Sequence, residues 1–231
     1  MIKTNINLDI NKSGFNIFDN NIFDLDKNKI NSDFDIYFKN PLFRENGYEN
    51  IAILKLENFK NTLFSKVLFD IEKVFSGNNL KYEFETLWLQ NSNHSFTESK
   101  INELPFIPHI DKKRYLKVMI YLNDIKESSG PINLTKINPE KFENLRKNLE
   151  TDYKLKKKNV IQSIPIKDYI SCAGNFGTTI IFDTNTPHFA GQITEKNTCR
   201  KILRFNFVKK KKYFFNQKFL INLKKFFHIK N

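Results

Sequence analysis

Cysteine, long apolar runs and internal repeats are scarce or missing in this 231-residue chain. Two cysteines, Cys172 and Cys199, are too few for a disulfide framework and fit a reducing compartment. No basic segment followed by an apolar one opens the chain, and no run approaches the ~20 apolar residues that cross a bilayer. The expectation is a cytoplasmic protein. No repeat is visible. Acid is missing from residues 208–231, which carry eight lysines. The net charge of +13 therefore belongs mainly to a tail rather than to the body of the chain. Phenylalanine, by contrast, is plentiful at 24 residues. Abundant Asn, Lys and Ile alongside it point to an AT-rich coding bias, not to a surface for stacking on bases.

The length suits one domain with a substantial core and is short for two. Residues 1 to about 45 show no firm periodicity and read as short strands or irregular wrapping. Residues 49–56 read as a strand. A helix follows over about 62–75, with Leu63, Val67, Ile71 and Val74 on one stripe, Thr62 or Asn61 at its start and Gly77 just past its end. Tyr82 to Gln90 is another strand candidate. Asn91 to Pro108 is a polar connection suited to covering a substrate. A run from Tyr115 to Asp124 is apolar and β-branched enough for a buried strand, and the turn at Glu127–Pro131 leads to a second at Ile132–Leu134. A charged helix is expected over about 139–153, with Pro139 at its first position. Short strands follow near 160–164, 168–171, 178–183 and 201–208. Many short strands broken by turns, with helices at the edges, argue for a mainly β fold with flanking helices: a β-barrel of the jelly-roll or cupin kind.

With four histidines and 25 acidic residues, a His-x-Asp can arise by chance, so its context matters. His109 and Asp111 lie two apart and share one face of an extended segment. His188 follows at a distance, then Arg200. Two imidazoles and one carboxylate suit Fe(II) on one face of an octahedron, leaving the other face open for a chelating co-substrate and O2. A guanidinium beyond the second histidine can grip a carboxylate of such a co-substrate with two hydrogen bonds. Asp183 reads as a structural hydrogen-bonder. His94 and His228 have no partner at ligand spacing.

These residues carry a family resemblance. The stretch from about Pro108 to Val208 resembles the Fe(II)- and 2-oxoglutarate-dependent dioxygenases, most closely their phytanoyl-CoA-dioxygenase-like branch, with the prolyl-4-hydroxylase-like branch nearest to it. The matching elements are His109-Ile110-Asp111, Tyr121-Leu122-Asn123-Asp124 with Gly130-Pro131, and Phe182-Asp183, His188, Ala190-Gly191 and Arg200. The resemblance implies a double-stranded β-helix and a 1–212 oxygenase domain, with its barrel core at about 82–208 and an N-terminal support at about 46–81. It implies His109, Asp111 and His188 on Fe(II), and 2-oxoglutarate held at its far carboxylate by Arg200, with Arg204 as the alternative anchor. Gln90, Lys117 and Tyr121 are further candidates for contacting the co-substrate. Expected activity is hydroxylation of a C–H bond in a small-molecule or lipid-like substrate, with O2 consumed and succinate and CO2 released. Other readings are a peptidyl hydroxylase, a metal enzyme of cupin type without 2-oxoglutarate, and a non-catalytic barrel serving as a ligand-binding or membrane-associated module.

The tail, 213–231, places Phe215, Phe219, Leu223 and Phe226 at helical spacing among its lysines. It reads first as a basic amphipathic helix docked on the barrel, next as a contact with an anionic membrane surface, and last as a nucleic-acid contact.

Overall fold

The computed structural model describes residues 6–45, 48–100, 102–151 and 161–210. The expected tail helix, His228 and the basic turn at 154–159 lie outside the described residues. The strands are β1 (Phe15–Phe18), β2 (Arg44–Glu45), β3 (Tyr48–Leu54), β4 (Tyr82–Asn93), β5 (Leu116–Tyr121), β6 (Ile132–Thr135), β7 (Tyr169–Ser171), β8 (Thr179–Asp183), β9 (His188–Ala190) and β10 (Cys199–Lys209). The helices are α1 (Ile10–Ser13), α2 (Lys27–Lys39), α3 (Leu63–Gly77), α4 (His94–Ser99) and α5 (Glu143–Thr151). A seven-stranded sheet runs β1-β8-β5-β10-β4-β3-β2, and a three-stranded sheet runs β7-β6-β9. Every pairing is antiparallel. This is the mainly β, helix-flanked jelly-roll architecture expected from the sequence.

Period-two alternation divides the large sheet into two chemically different faces. One carries Leu87, Leu89, Leu116, Val118, Ile120, Leu203, Phe205 and Phe207, all fully buried against α2 and α3. The other carries Trp88, Gln90, Lys117, Met119, Tyr121, Arg200, Ile202, Arg204 and Asn206, and turns toward the small sheet. Helices therefore seal one side with hydrocarbon, at roughly 1.5–3 kcal/mol per fully buried large side chain. The polar face is left for the interior of the sandwich.

Helix α3 forms where its stripe predicts it, although Gly77 is its last residue rather than the one beyond it. The Thr62 hydroxyl donates back to the Phe59 carbonyl instead of capping. The N-terminal forty residues differ more from expectation. Strand β1 pairs with β8 at the sheet edge, and α2 is a 13-residue helix capped by the Asp26 side chain, which accepts from Lys29 N. Its buried contacts come down to Ile30 and Phe34 among Asn, Asp and Lys, too few apolar residues to stand out as a period. No strand forms at 161–164. The charged helix opens with a tight turn at Pro139–Phe142 before α5 begins.

Two motif glycines meet in the fold. Gly130 has φ +67°, and a Cβ there would collide with the Gly191 carbonyl. Gly191 N in turn donates to the Pro131 carbonyl at 2.8 Å. The turn before β6 and the end of β9 are thus closed on one another.

Asp183, at the end of β8, is almost fully buried and is held by Arg114, whose Nε and Nη2 donate at 2.9 and 2.7 Å. Arg114 also reaches Glu143 at 3.2 Å, which joins α5 to the sheet. The structural role expected of Asp183 is what this geometry shows. Removing the guanidinium leaves the carboxylate buried without its charged donors. Arg114→Ala should therefore lose about 2–3 kcal/mol of stability, read by urea unfolding with an unchanged slope.

Candidate metal centre

Segment 108–111 is tied down on both sides. His109 N donates to His188 O at 2.9 Å and His188 N returns the bond to His109 O at 2.9 Å. Asp111 N donates to Thr184 O, and Ile161 N donates to Pro108 O. The two histidines are therefore directly opposite one another across an antiparallel bridge, with ring centroids 4.4 Å apart. One is at the start of β9 and the other on an extended segment beside it.

Hydrogen bonding at the far ring nitrogens sets which nitrogens face the centre. His109 Nδ1 lies 2.8 Å from the Ile107 carbonyl, and His188 Nδ1 lies 2.8 Å from the Thr186 carbonyl. A carbonyl only accepts, so each Nδ1 carries the proton and each Nε2 keeps its lone pair. Both Nε2 atoms then point at Asp111 Oδ1, 3.8 Å from His109 and 3.7 Å from His188. The three ligand atoms lie within 4.8 Å of one another. Two oriented imidazole lone pairs and one carboxylate oxygen, converging from one side, fit a divalent transition metal, and the carbonyl partners are the support such ligands usually have.

The other carboxylate oxygen has its own neighbour. Lys117 Nζ, on β5, stands 2.6 Å from Asp111 Oδ2, close but off the line of an aligned hydrogen bond. Asp111 thus presents one oxygen to the histidines and the other to an ammonium group. The Lys117 ammonium beside it holds its carboxyl far below the usual carboxylate range despite burial. Phe182 packs edge-on against the His188 ring at 5.1 Å and keeps it from turning.

Burial lowers the proton affinity of both histidines, most strongly for His188, which also faces His109. The metal-free protein therefore holds them neutral and ready to ligate. The sign of the pH dependence follows. Below about pH 6.5 the unfolded chain takes up protons on these histidines that the folded one refuses. Their contribution is fully present above about 6.5 and is lost as pH falls; Asp111 acts only below about 4. Thermal midpoints of chelator-treated protein should fall from pH 6.5 to 5, and the slope should flatten in His109→Gln/His188→Gln. A wild-type midpoint constant over that range would contradict it.

The triad opens on a cavity of about 810 Å³. Its walls include Gln90, Lys117, Met119, Ile132, Arg200, Ile202 and Arg204. Arg200 is buried at the start of β10. Its Nη1 donates to the Gly191 carbonyl at 3.3 Å, while its Nε has no partner. Among the described residues no acid pairs with it, and burial pushes its pKa down to about 10. Arg204, two positions along the same face, is stacked on the Trp88 ring with its guanidinium carbon 3.6 Å from the centroid. Gln90 lies between Ile51 and Ile202 in the sheet and lines the cavity. Tyr121 does not line it; its hydroxyl donates to the Cys172 carbonyl at 2.8 Å inside the sandwich. His94 pairs with Glu98 on α4, away from the triad, as a bystander would. Two features carried no sequence signal of their own: the pairing of Lys117 with Asp111, and the seat of Arg204 on Trp88. The alternation Lys117-Met119-Tyr121 puts the three on one face, and the structure makes that face the inner one.

No protein-family model matches the sequence, and no curated protein matches it. Solved structures share its fold. EvdO2 from Micromonospora carbonacea var. aurantiaca, complexed with 2-oxoglutarate, superposes with a TM-score of 0.53 at 14% identity, over 87% of this chain and 88% of that one. SnoK, a non-haem α-ketoglutarate-dependent carbocyclase from nogalamycin biosynthesis, gives 0.55 at 10% identity over 87% and 81%. HygX from Streptomyces hygroscopicus, with nickel and 2-oxoglutarate bound, gives 0.55 at 9% over 87% and 85%. The fold is therefore that of structures which include 2-oxoglutarate-dependent non-haem enzymes. Among the described residues no helix is long and apolar enough to cross a membrane.

Proposed function

We propose that this protein is an Fe(II)- and 2-oxoglutarate-dependent oxygenase acting on a small molecule. One observation carries the reading: His109, Asp111 and His188 converge on one wall of the same cavity into which a buried, acid-free Arg200 projects. A metal alone would need no such arginine. A dicarboxylate that chelates the metal at one end needs one at the other, because a buried guanidinium without a counter-ion is costly.

When bound, Fe(II) with 2-oxoglutarate supplies the oxidising chemistry that converts O2 and a C–H bond to an alcohol, with succinate and CO2 as co-products. The chain does the rest. Nδ1 bonds to backbone carbonyls fix both imidazoles as acceptors, and Lys117 holds Asp111 ionised with one oxygen turned to the centre. Arg200 orients the co-substrate, and the apolar walls from Met119, Ile132, Phe182 and Ile202 limit access of water.

Hydroxylation is the simplest outcome for this ligand set, and a phytanoyl-CoA-dioxygenase-like assignment is supported by the order of the sequence motifs. The same fold is also used by a protein named as an α-ketoglutarate-dependent carbocyclase, so the fold alone does not select hydroxylation. Purified protein with Fe(II) and 2-oxoglutarate is expected to form succinate in air, even slowly without substrate, and to stop when iron is chelated. Absence of succinate from an iron-replete sample that binds 2-oxoglutarate would favour the non-catalytic reading.

A further inference from the structure

The reading above leaves one cation without a task. Arg204 lines the cavity from the middle of β10, its Nε has no hydrogen-bond partner, and among the described residues no acid pairs with it. The acids nearest the cavity have closer partners: Asp111, whose charge reaches Arg204 only from beyond ion-pair distance, is paired with Lys117 at 2.6 Å, Glu103 with Lys100 at 3.2 Å, and Glu85 with Lys113 at 2.6 Å. Stacking on Trp88 holds the guanidinium by its face. Its in-plane N–H edge remains free, and that edge is the part that matches an oxyanion bidentately.

Formal charge adds to this. Set against a divalent metal, Arg200 and Arg204, the site supplies Asp111, and 2-oxoglutarate supplies two carboxylates. A positive charge is left over even with Lys117 neutral. The co-substrate has no group left to neutralise it, since one carboxylate chelates the metal and the other meets Arg200. Arg200 and Arg204 are four residues apart on one strand, so their backbones stand about 13 Å from one another. Lys112 also lines the cavity and adds another cation, without an acid partner among the described residues.

We propose that Arg204, held on Trp88, is a substrate-binding residue that receives an oxyanion, a carboxylate or a phosphate, of the molecule to be oxidised. The inference rests on the oxygenase reading and narrows it: the substrate is an anion whose charged group lies on the Arg204 side of the metal, apart from the co-substrate.

The test uses the whole protein loaded with Ni(II), which prevents turnover, and saturated with 2-oxoglutarate. Butyrate, inorganic phosphate and uncharged butyramide are titrated by calorimetry. At least one of the two anions is expected to bind and butyramide is not; the tighter of the two identifies the substrate's group. Arg204→Gln should weaken that anion by about ten- to a hundredfold, the range for one charge-assisted contact, and leave 2-oxoglutarate affinity within about twofold. Arg204→Lys, which keeps the charge and loses the fork, should fall between the two and carries the test alone if the glutamine variant does not fold. Binding of neither anion to the unsubstituted protein overturns the proposal, as does anion binding unchanged in the variants. A loss of 2-oxoglutarate affinity in the Arg204 variants also overturns it and moves Arg204 to the co-substrate. Failure of the unsubstituted protein to bind 2-oxoglutarate is a separate result, and it removes the oxygenase reading itself.

Discussion

Asp111→Ala is expected to lose iron. The substitution removes the one charged ligand of the triad, whose oxygen lies within 4 Å of both imidazole nitrogens. Affinity should fall by about two orders of magnitude or more, roughly 2.8 kcal/mol at 1.4 kcal/mol per decade. A second effect accompanies it. Lys117, nearly fully buried beside Asp111 Oδ2, loses its only ion-pair partner among the described residues. Burial already lowers its proton affinity, so it would shed its proton rather than remain as an unpaired charge. Metal-free Asp111→Ala should therefore stay folded, while iron measured after gel filtration drops to a small fraction of one per chain. Full iron content in this variant would remove Asp111 from the site.

Arg200→Ala should have the complementary signature: iron retained and 2-oxoglutarate weakened by about ten- to a hundredfold, or roughly 1.5–3 kcal/mol for the lost charge-assisted pair. We assign this role to Arg200 rather than Arg204 from the motif order, in which it follows His188 and Ala190-Gly191; the free N–H edge of Arg204, seated by its face on Trp88, is left for another anion. Calorimetry on the Ni(II)-loaded protein reads the effect without turnover. Unchanged 2-oxoglutarate affinity in Arg200→Ala, with the fall appearing in Arg204→Ala, would exchange the two assignments.

The parts of this fold legible in the sequence are those whose pattern is local. Helix α3 shows as a stripe of Val67, Ile71 and Val74, and β5, β8 and β10 show as short apolar runs closed by turns. The ligand set was legible because His109 and Asp111 sit two apart and the flanking motifs come in a fixed order. What stayed hidden depends on contacts across the chain. Helix α2 has too little apolar surface to announce itself, yet the sheet buries Ile30 and Phe34 completely. Tyr121 shares the inner face with Lys117, but only the small sheet decides that its hydroxyl meets Cys172 rather than the cavity. The alternation of β10 equally allowed Arg204 to face in or out; its placement on Trp88 follows from the β4 register, in which the two residues are directly paired.

The central claim is that the three ligands and the cavity beside them hold Fe(II) and 2-oxoglutarate together. The most direct measurement is an anaerobic titration of Fe(II)-loaded protein with 2-oxoglutarate, followed by visible absorption. A metal-to-ligand charge-transfer band is expected to grow with 2-oxoglutarate, saturate at one per chain, and be missing in Asp111→Ala. Tight iron binding with no such band at any 2-oxoglutarate concentration would contradict it.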